Sequence, residues 1–326
     1  MRRLSQAGFK KDFVSRAVLP EWWDEVCGDD PNLLPDVEIR VARFLGLPLS
    51  TIRSPTAVLA SPTYPGAQLR RVRDLDRDRL APAIHAAIRL AEAVVRNMRE
   101  PPPASAVPLR DGLAWREELR RAHARVTLEC ILDDLWRRGI PVVPIEVLPT
   151  PSFQGLACIV ENRPVILVGH KNDEPGRVAF LIAHETGHIA AGDCVPGEPV
   201  VDEDEEVLDD ANIELNADQF ANRVLVGDTI VPQVDGATFK DLAKRASEIE
   251  RTSGADASAI VFAWAARTGE YAKASMAVRA LYRGSGARRQ LRQHFDRHVD
   301  FDAATETDRA LLRCVLGGAE RDASAA

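Results

Sequence analysis

Residues 181–190 read LIAHETGHIA and place two histidines, His184 and His188, four residues apart, with Glu185 directly after the first. Apolar residues flank this motif on both sides. Residues four apart lie one turn apart on the same face of a helix. The stretch therefore predicts a largely buried helix whose polar residues are concentrated in a single turn.

Two imidazoles at this spacing can bind one Zn²⁺ at about 2.0–2.1 Å from each nitrogen. Glu185 is then expected to be a general base acting on zinc-activated water, and not a ligand. Gly187 costs roughly 1 kcal/mol relative to alanine inside a helix, which predicts that some other group approaches the backbone closely there. The alternative, a helix with solvated surface histidines, is disfavoured by the apolar flanks, because buried polar groups need partners.

A catalytic zinc needs a third protein ligand and an open coordination position. The next predicted helix, NIELNADQFANRVLV, carries Glu214 and Asp218 on one face. Glu214 can complete a set of two histidines and one glutamate, and Asp218 can accept a hydrogen bond from a zinc-binding histidine. Acids in the preceding loop are alternative ligands, although a flexible loop is a poor platform for a rigid site. They are Glu198, Asp202, Glu203, Glu205 and Glu206.

A chain of 326 residues is long enough for two or three domains. Its composition, with 45% hydrophobic and 28% charged residues, is typical of a globular protein. A formal net charge of −7 argues against a chain-wide cationic surface for nucleic acid. No secretory signal is expected, and the most apolar stretch, 257–266, is far shorter than the roughly 20 residues that span a bilayer. Scattered cysteines favour free thiols, so a cytoplasmic protein without a membrane partner is predicted.

Changes in composition predict four parts. Residues 1–60 form a helical N-terminal segment, in which ARFLGLPLSTI is either a helix-turn-helix-like element or a small packing module. Residues 61–108 hold a helix and a proline-rich linker, and residues 109–235 hold the metal motif. Residues 236–326 form a helical C-terminal region. The predicted fold class is α+β, with a small mixed or antiparallel sheet and an active-site helix between helical regions.

Short β-branched runs precede the metal motif, after a helix predicted over 112–138. GLACIVE and PVILV are expected to form a hairpin with its turn at Asn162-Arg163, and the prolines of IPVVPIEVL favour an edge position. Gln154-Gly155 opens the hairpin, and this strand is a candidate for binding a substrate peptide by β-augmentation.

His294 and His298 are also four residues apart, in the sequence HFDRH. A second zinc site is not expected from this pair, because Phe295 replaces the glutamate, and arginines add positive charge. The basic stretch ARRQLRQHFDRH is expected to be a solvated helix face more than a surface for nucleic acid.

Three stretches, taken in order, carry a resemblance to a known family. They are GLACIVENRPVILV, RVAFLIAHETGHIAAG and a pattern E-x-x-A-D-x-F-A that begins at Glu214, all within about 110–235. In order and spacing they resemble the ImmA/IrrE group of zinc metallopeptidases. The resemblance implies a zincin-like, gluzincin-type endopeptidase domain with one zinc ion.

By matching position, the resemblance implies that His184, His188 and Glu214 are zinc ligands, that Glu185 is the base, and that Asp218 supports a ligand. Members of this family act in the cytoplasm on helix-turn-helix repressors of mobile-element or stress-response genes, so such a repressor is the implied protein partner. Two alternatives stay open. One is a zinc-containing regulator that sequesters a repressor or DNA without proteolysis, and the other is a zinc hydrolase of small amides.

Overall fold

The computed structural model describes residues 1–24, 30–59, 68–70, 77–100, 109–150, 153–169, 173–197, 199–202, 211–227, 238–281 and 286–315. The domain boundaries predicted near residues 60, 108 and 235 lie outside these residues. None of the helices formed by the described part of the chain is long and apolar enough to cross a membrane.

Fourteen helices and five strands are formed by the described residues. The first seven helices are α1 (Arg2–Gln6), α2 (Lys11–Ala17), α3 (Leu34–Leu45), α4 (Leu49–Arg53), α5 (Arg77–Arg96), α6 (Gly112–Ala122) and α7 (Leu128–Arg137). The others are α8 (Pro175–Ala191), α9 (Ala211–Leu225), α10 (Phe239–Ser253), α11 (Ala257–Thr268), α12 (Tyr271–Leu281), α13 (Ala287–His298) and α14 (Glu306–Val315). The strands are β1 (Gln68–Arg70), β2 (Val142–Pro144), β3 (Gly155–Val160), β4 (Arg163–Val168) and β5 (Val200–Asp202).

The five strands form one mixed sheet in the order β1-β5-β3-β4-β2. β3 and β4 are an antiparallel hairpin, and β2 runs parallel to β4 at one edge. β5 runs antiparallel to β3 and parallel to β1, which forms the other edge. The predicted combination of helices with a small mixed sheet is confirmed, and so is the edge position of β2.

The hairpin turn lies one residue earlier than predicted. Val160 pairs with Arg163, so the two loop residues are Glu161 and Asn162, with φ of 49° and 61°. Two-residue hairpins favour turns with positive φ at both central positions, because that backbone twist matches the twist of the strands. The prediction of a turn at Asn162-Arg163 is wrong because Arg163 already belongs to β4.

The single helix predicted over 112–138 is divided into α6 and α7. Thr127 begins α7 as its N-cap, accepting a hydrogen bond from the backbone N–H of Cys130. Just before it, Val126 pairs with Ala255 in an isolated parallel bridge. The helical periodicity holds in both pieces, but a cap and a distant backbone contact interrupt the helix between them.

Two further elements differ from the sequence patterns. A helix is predicted over 69–99 from periodicity, whereas α5 begins at Arg77 and β1 occupies residues 68–70. Pro82 lies inside α5. α14 lies in the predicted helical C-terminal region, although no separate helix was predicted at its position.

Helices cover both faces of the sheet. Leu156 and Leu167 belong to an apolar cluster shared with α5 and the N-terminal helices. Val142 and Ile166 belong to a second cluster shared with α7, α8 and α9. This arrangement follows from the alternation of side chains along a strand, and it holds α8 between the sheet and α9.

Residues 1–60 also contact the last described helix. The buried guanidinium of Arg40 in α3 lies 2.8 Å from Glu306 of α14 and 2.9 Å from Asp36. Leu311 and Leu312 of α14 belong to the same apolar cluster as the N-terminal helices. The two ends of the described chain therefore share one core.

Candidate metal centre

The motif residues lie within α8, which has Gly192 as its C-cap. His184, Glu185 and His188 are buried, with exposed fractions of 2%, 0% and 0%. The neighbouring apolar residues Leu181, Ile182 and Ala183 anchor this turn in the second cluster. The polar face of α8 thus points into the protein, away from bulk water.

Gly187 allows α9 to approach α8 closely, as the sequence predicted. A Cβ added at Gly187 would lie 3.0 Å from the Cα of Ala217 and 3.2 Å from the Cβ of Phe220. A side chain at this position would therefore require α9 to shift by a few tenths of an ångström. The close crossing brings Glu214, in the first turn of α9, to the motif on α8.

The two imidazoles and the Glu214 carboxylate meet at one point. His184 Nε2 lies 3.1 Å from His188 Nε2. The same two nitrogens lie 3.4 and 3.5 Å from the two oxygens of Glu214. Glu185 directly follows His184 in the sequence but does not belong to this group of possible metal ligands.

A carboxylate holds the far nitrogen of each imidazole. His184 Nδ1 is 2.9 Å from Asp218 Oδ1, and His188 Nδ1 is 2.9 Å from Asp193 Oδ2. An ionised carboxylate only accepts hydrogen bonds, so in a neutral imidazole held this way Nδ1 carries the hydrogen and Nε2 presents a lone pair. Two lone pairs and a carboxylate that face one another repel unless a cation lies between them.

The distances fit a zinc ion. In a tetrahedral site with bonds of about 2.0–2.2 Å, neighbouring ligand atoms are roughly 3.3–3.6 Å apart. The three separations in the centre, 3.1, 3.4 and 3.5 Å, are close to that spacing. Two imidazoles and one carboxylate also match the ligands that catalytic zinc takes, with a fourth position left for water or substrate.

Asp193 is a site residue that sequence reasoning missed. It follows Gly192, where α8 ends, and its backbone N–H donates to the carbonyl of His188 at 3.0 Å. This turn brings the carboxylate back to the ring of the same histidine. The signal in the sequence is an acid directly after the helix-ending glycine, five residues beyond the second histidine of the motif.

Gly155 is a second residue whose role was missed. A Cβ added there would overlap Oε1 of Glu185 and would lie 2.9 Å from Cδ of the same carboxylate. The start of β3 is thus shaped to accommodate the Glu185 side chain. The sequence indicated only that Gly155 opens a strand.

The strand that begins at Gly155 is not the exposed edge that was predicted to bind a peptide. Gly155, Leu156 and Ala157 pair with Asp202, Val201 and Val200 of β5. The prediction that a substrate peptide pairs with β3 at these three positions is therefore wrong, because β5 already pairs with β3 there. The prediction failed because the short strand β5 had not been recognised in the sequence.

Among the alternative ligands, Asp202 belongs to β5. Glu198, Glu203, Glu205 and Glu206 lie outside the described residues.

Neither a scan against models of protein families nor a search of curated proteins found a match to this chain.

Proposed function

We propose that this protein is a zinc-dependent endopeptidase with Glu185 as its general base. The observation that carries the proposal is the meeting of two imidazole nitrogens and one carboxylate at zinc-like separations. The buried carboxylate of Glu185 lies on the same turn of α8. Metal ligands with an adjacent carboxylate base are the combination that peptide hydrolysis by zinc enzymes uses.

His184, His188 and Glu214 would hold one Zn²⁺ per chain, and Asp218 and Asp193 would fix the two rings. When bound, zinc would lower the pKa of a coordinated water and polarise the carbonyl of the peptide bond. Glu185 would take a proton from the attacking water and deliver it to the nitrogen of the leaving amine as the C–N bond breaks.

The proposed substrate is a protein, namely a helix-turn-helix transcriptional repressor in the cytoplasm. Support for this class comes from the resemblance of the motifs to ImmA/IrrE metallopeptidases. The second candidate, a zinc-containing regulator that sequesters its repressor, would use the same ligands but would not need Glu185.

Replacement of Glu185 by glutamine separates these two functions. Glu185→Gln should keep bound zinc and lower cleavage of the repressor by at least about 100-fold, the range typical of a lost general base. The measurements are cleavage of a candidate repressor on gels and zinc content by atomic absorption. Glu117→Gln, at an exposed position on α6, is the matched control and should cleave at the wild-type rate.

Two results would contradict the proposed function. If Glu185→Gln relieves repression as well as the wild-type protein does, and neither of these two proteins cleaves the repressor, the result would support the sequestering regulator. Wild-type protein that contains no zinc, and takes up none when zinc is added, would eliminate both candidates.

A further inference from the structure

A second group of potential metal ligands lies between α7 and α13. Glu129 and Asp133 lie four residues apart on α7, and His294 comes from α13. One ligand atom from each of the three lies within 4.8 Å of the other two. His294 Nε2 is 3.2 Å from Glu129 Oε1, and its Nδ1 is 3.7 Å from Asp133 Oδ1. Helix packing, and not local sequence, creates this group.

The imidazole of His294 is the observation that points to a ligand. Its exposed fraction is 0%, and neither ring nitrogen makes a hydrogen bond to any described residue. A buried polar group without a hydrogen bond costs roughly 1–3 kcal/mol. A cation bound by the ring and the carboxylates would offset this cost.

The surrounding charges allow a cation to bind. Arg297 Nη1 is 3.6 Å from Asp133 Oδ1, but its side chain is 58% exposed and can turn into solvent. His298 stacks on Trp136 with ring centroids 4.8 Å apart, so it does not pair with His294 as a ligand.

We propose that Glu129, Asp133 and His294 bind a divalent transition-metal cation, independently of the centre at His184. One imidazole with two carboxylates is a donor set that suits Zn²⁺ or Mn²⁺. Because Glu129 and Asp133 are 48% and 43% exposed, the ion would keep water ligands and bind more weakly than at the enclosed centre. The bound ion would tie α7 to α13.

Zinc binding by a double variant tests this site. Glu129→Gln with Asp133→Asn removes both negative ligands at half-exposed positions, where the fold should tolerate the change. In equilibrium dialysis against Zn²⁺, this variant should bind one ion fewer per chain than the wild-type protein. His298→Ala, one turn beyond His294, is the matched control and should bind as many ions as the wild type.

A second measurement does not depend on zinc counts. Mn²⁺ added to the wild-type protein should broaden the ring proton signals of His294 by paramagnetic relaxation, and the double variant should lose this broadening. Equal zinc binding by wild type and double variant would overturn the proposal, as would an unaffected His294 signal. Either result would mean that the three side chains form only an ion pair.

Discussion

At the residue scale, the closest fit in the candidate centre joins the backbone of β3 to the Glu185 carboxylate. The space that a side chain would fill at Gly155 is occupied by Glu185 Oε1. A carboxylate confined in this way has few rotamers, and a proposed base must be held within a fraction of an ångström. Gly155 is therefore a positioning residue for Glu185.

Gly155→Ala should displace Glu185 and impair the proposed cleavage, because the added methyl group overlaps the carboxylate. We expect at least a roughly tenfold lower cleavage rate with zinc retained, and a destabilisation of about 1–3 kcal/mol from overpacking. Cleavage assays, zinc content and urea unfolding measure these effects. Glu117→Gln, at an exposed position on α6, is again the control. Wild-type stability and cleavage in Gly155→Ala would contradict the assigned role.

Sequence patterns indicated much of this centre but not all of it. Helical spacing placed His184 with His188 and Glu214 with Asp218, because residues four apart must share a helix face. The roles of Asp193 and Gly155 were not predicted. The position of Asp193 depends on how the chain turns back at the end of α8, and that of Gly155 depends on how β3 crosses α8. Neither geometry follows from local periodicity.

At the element scale, the crossing of α8 and α9 sets the position of the third proposed ligand. Gly187 faces Ala217 and Phe220 at this crossing, and Glu214 lies about one turn before Ala217 on α9. Helix axes come closest where small residues meet. The separation of the helices at Gly187 thus determines the separation of Glu214 from the two imidazoles.

Gly187→Leu should push α9 away from α8 and weaken both folding and metal binding. We expect a loss of about 1–3 kcal/mol in the free energy of unfolding from overpacking, with a lower affinity for zinc. Urea unfolding of the metal-free protein and competition with a zinc chelator separate the two effects. Ala191→Leu, at an exposed position on the same helix, should change neither. An unchanged zinc affinity in Gly187→Leu would show that this crossing does not position Glu214.

Element types were easier to predict than element limits. The hairpin of β3 and β4 was indicated by alternation and β-branched residues, whereas β5 has only three residues and no pattern of its own. Its conformation comes from pairing with β3, a contact across a large sequence distance. The break between α6 and α7 has the same origin, in the pairing of Val126 with Ala255.

At the scale of the whole molecule, a buried histidine connects the N-terminal helices to the helix that covers the sheet. His85 of α5 donates from Nε2 to the carbonyl oxygen of Phe44 in α3, at 2.6 Å. The rings of Phe9 and Phe44 pack against it. Burial, with a contribution from Arg89, lowers the pKa of His85 to about 4. The contact is therefore made by a neutral imidazole near pH 7.

Stability should fall as the pH is lowered from about 6.5 toward 4. The unfolded chain binds a proton at His85 with a pKa of roughly 6.5, whereas the folded chain resists protonation until about pH 4. Between pH 7 and 5 this group alone should cost about 2 kcal/mol of stability. Urea unfolding at both pH values measures the change, with His85→Gln as the variant that lacks the titrating ring. Equal pH dependence in the two proteins would refute the contribution of His85.

The contacts that join the two ends of the described chain could not be predicted from the sequence. Arg40 meets Glu306, and Leu312 packs with the N-terminal helices, although long stretches of sequence separate them. Composition shifts and prolines reveal where the chain turns irregular. They carry no information on which distant surfaces pack together.

The strand β5 also has a consequence for the entropy of metal binding. It lies between His188 and Glu214 along the chain, and its pairing with β3 fastens that connecting segment to the sheet. Closing a loop costs conformational entropy that grows with loop length, and here the sheet has already closed part of it. For the part of this loop that β5 fastens, an ion arriving at the three ligands would not bear the closure cost again, so that share of its binding energy would remain available as affinity.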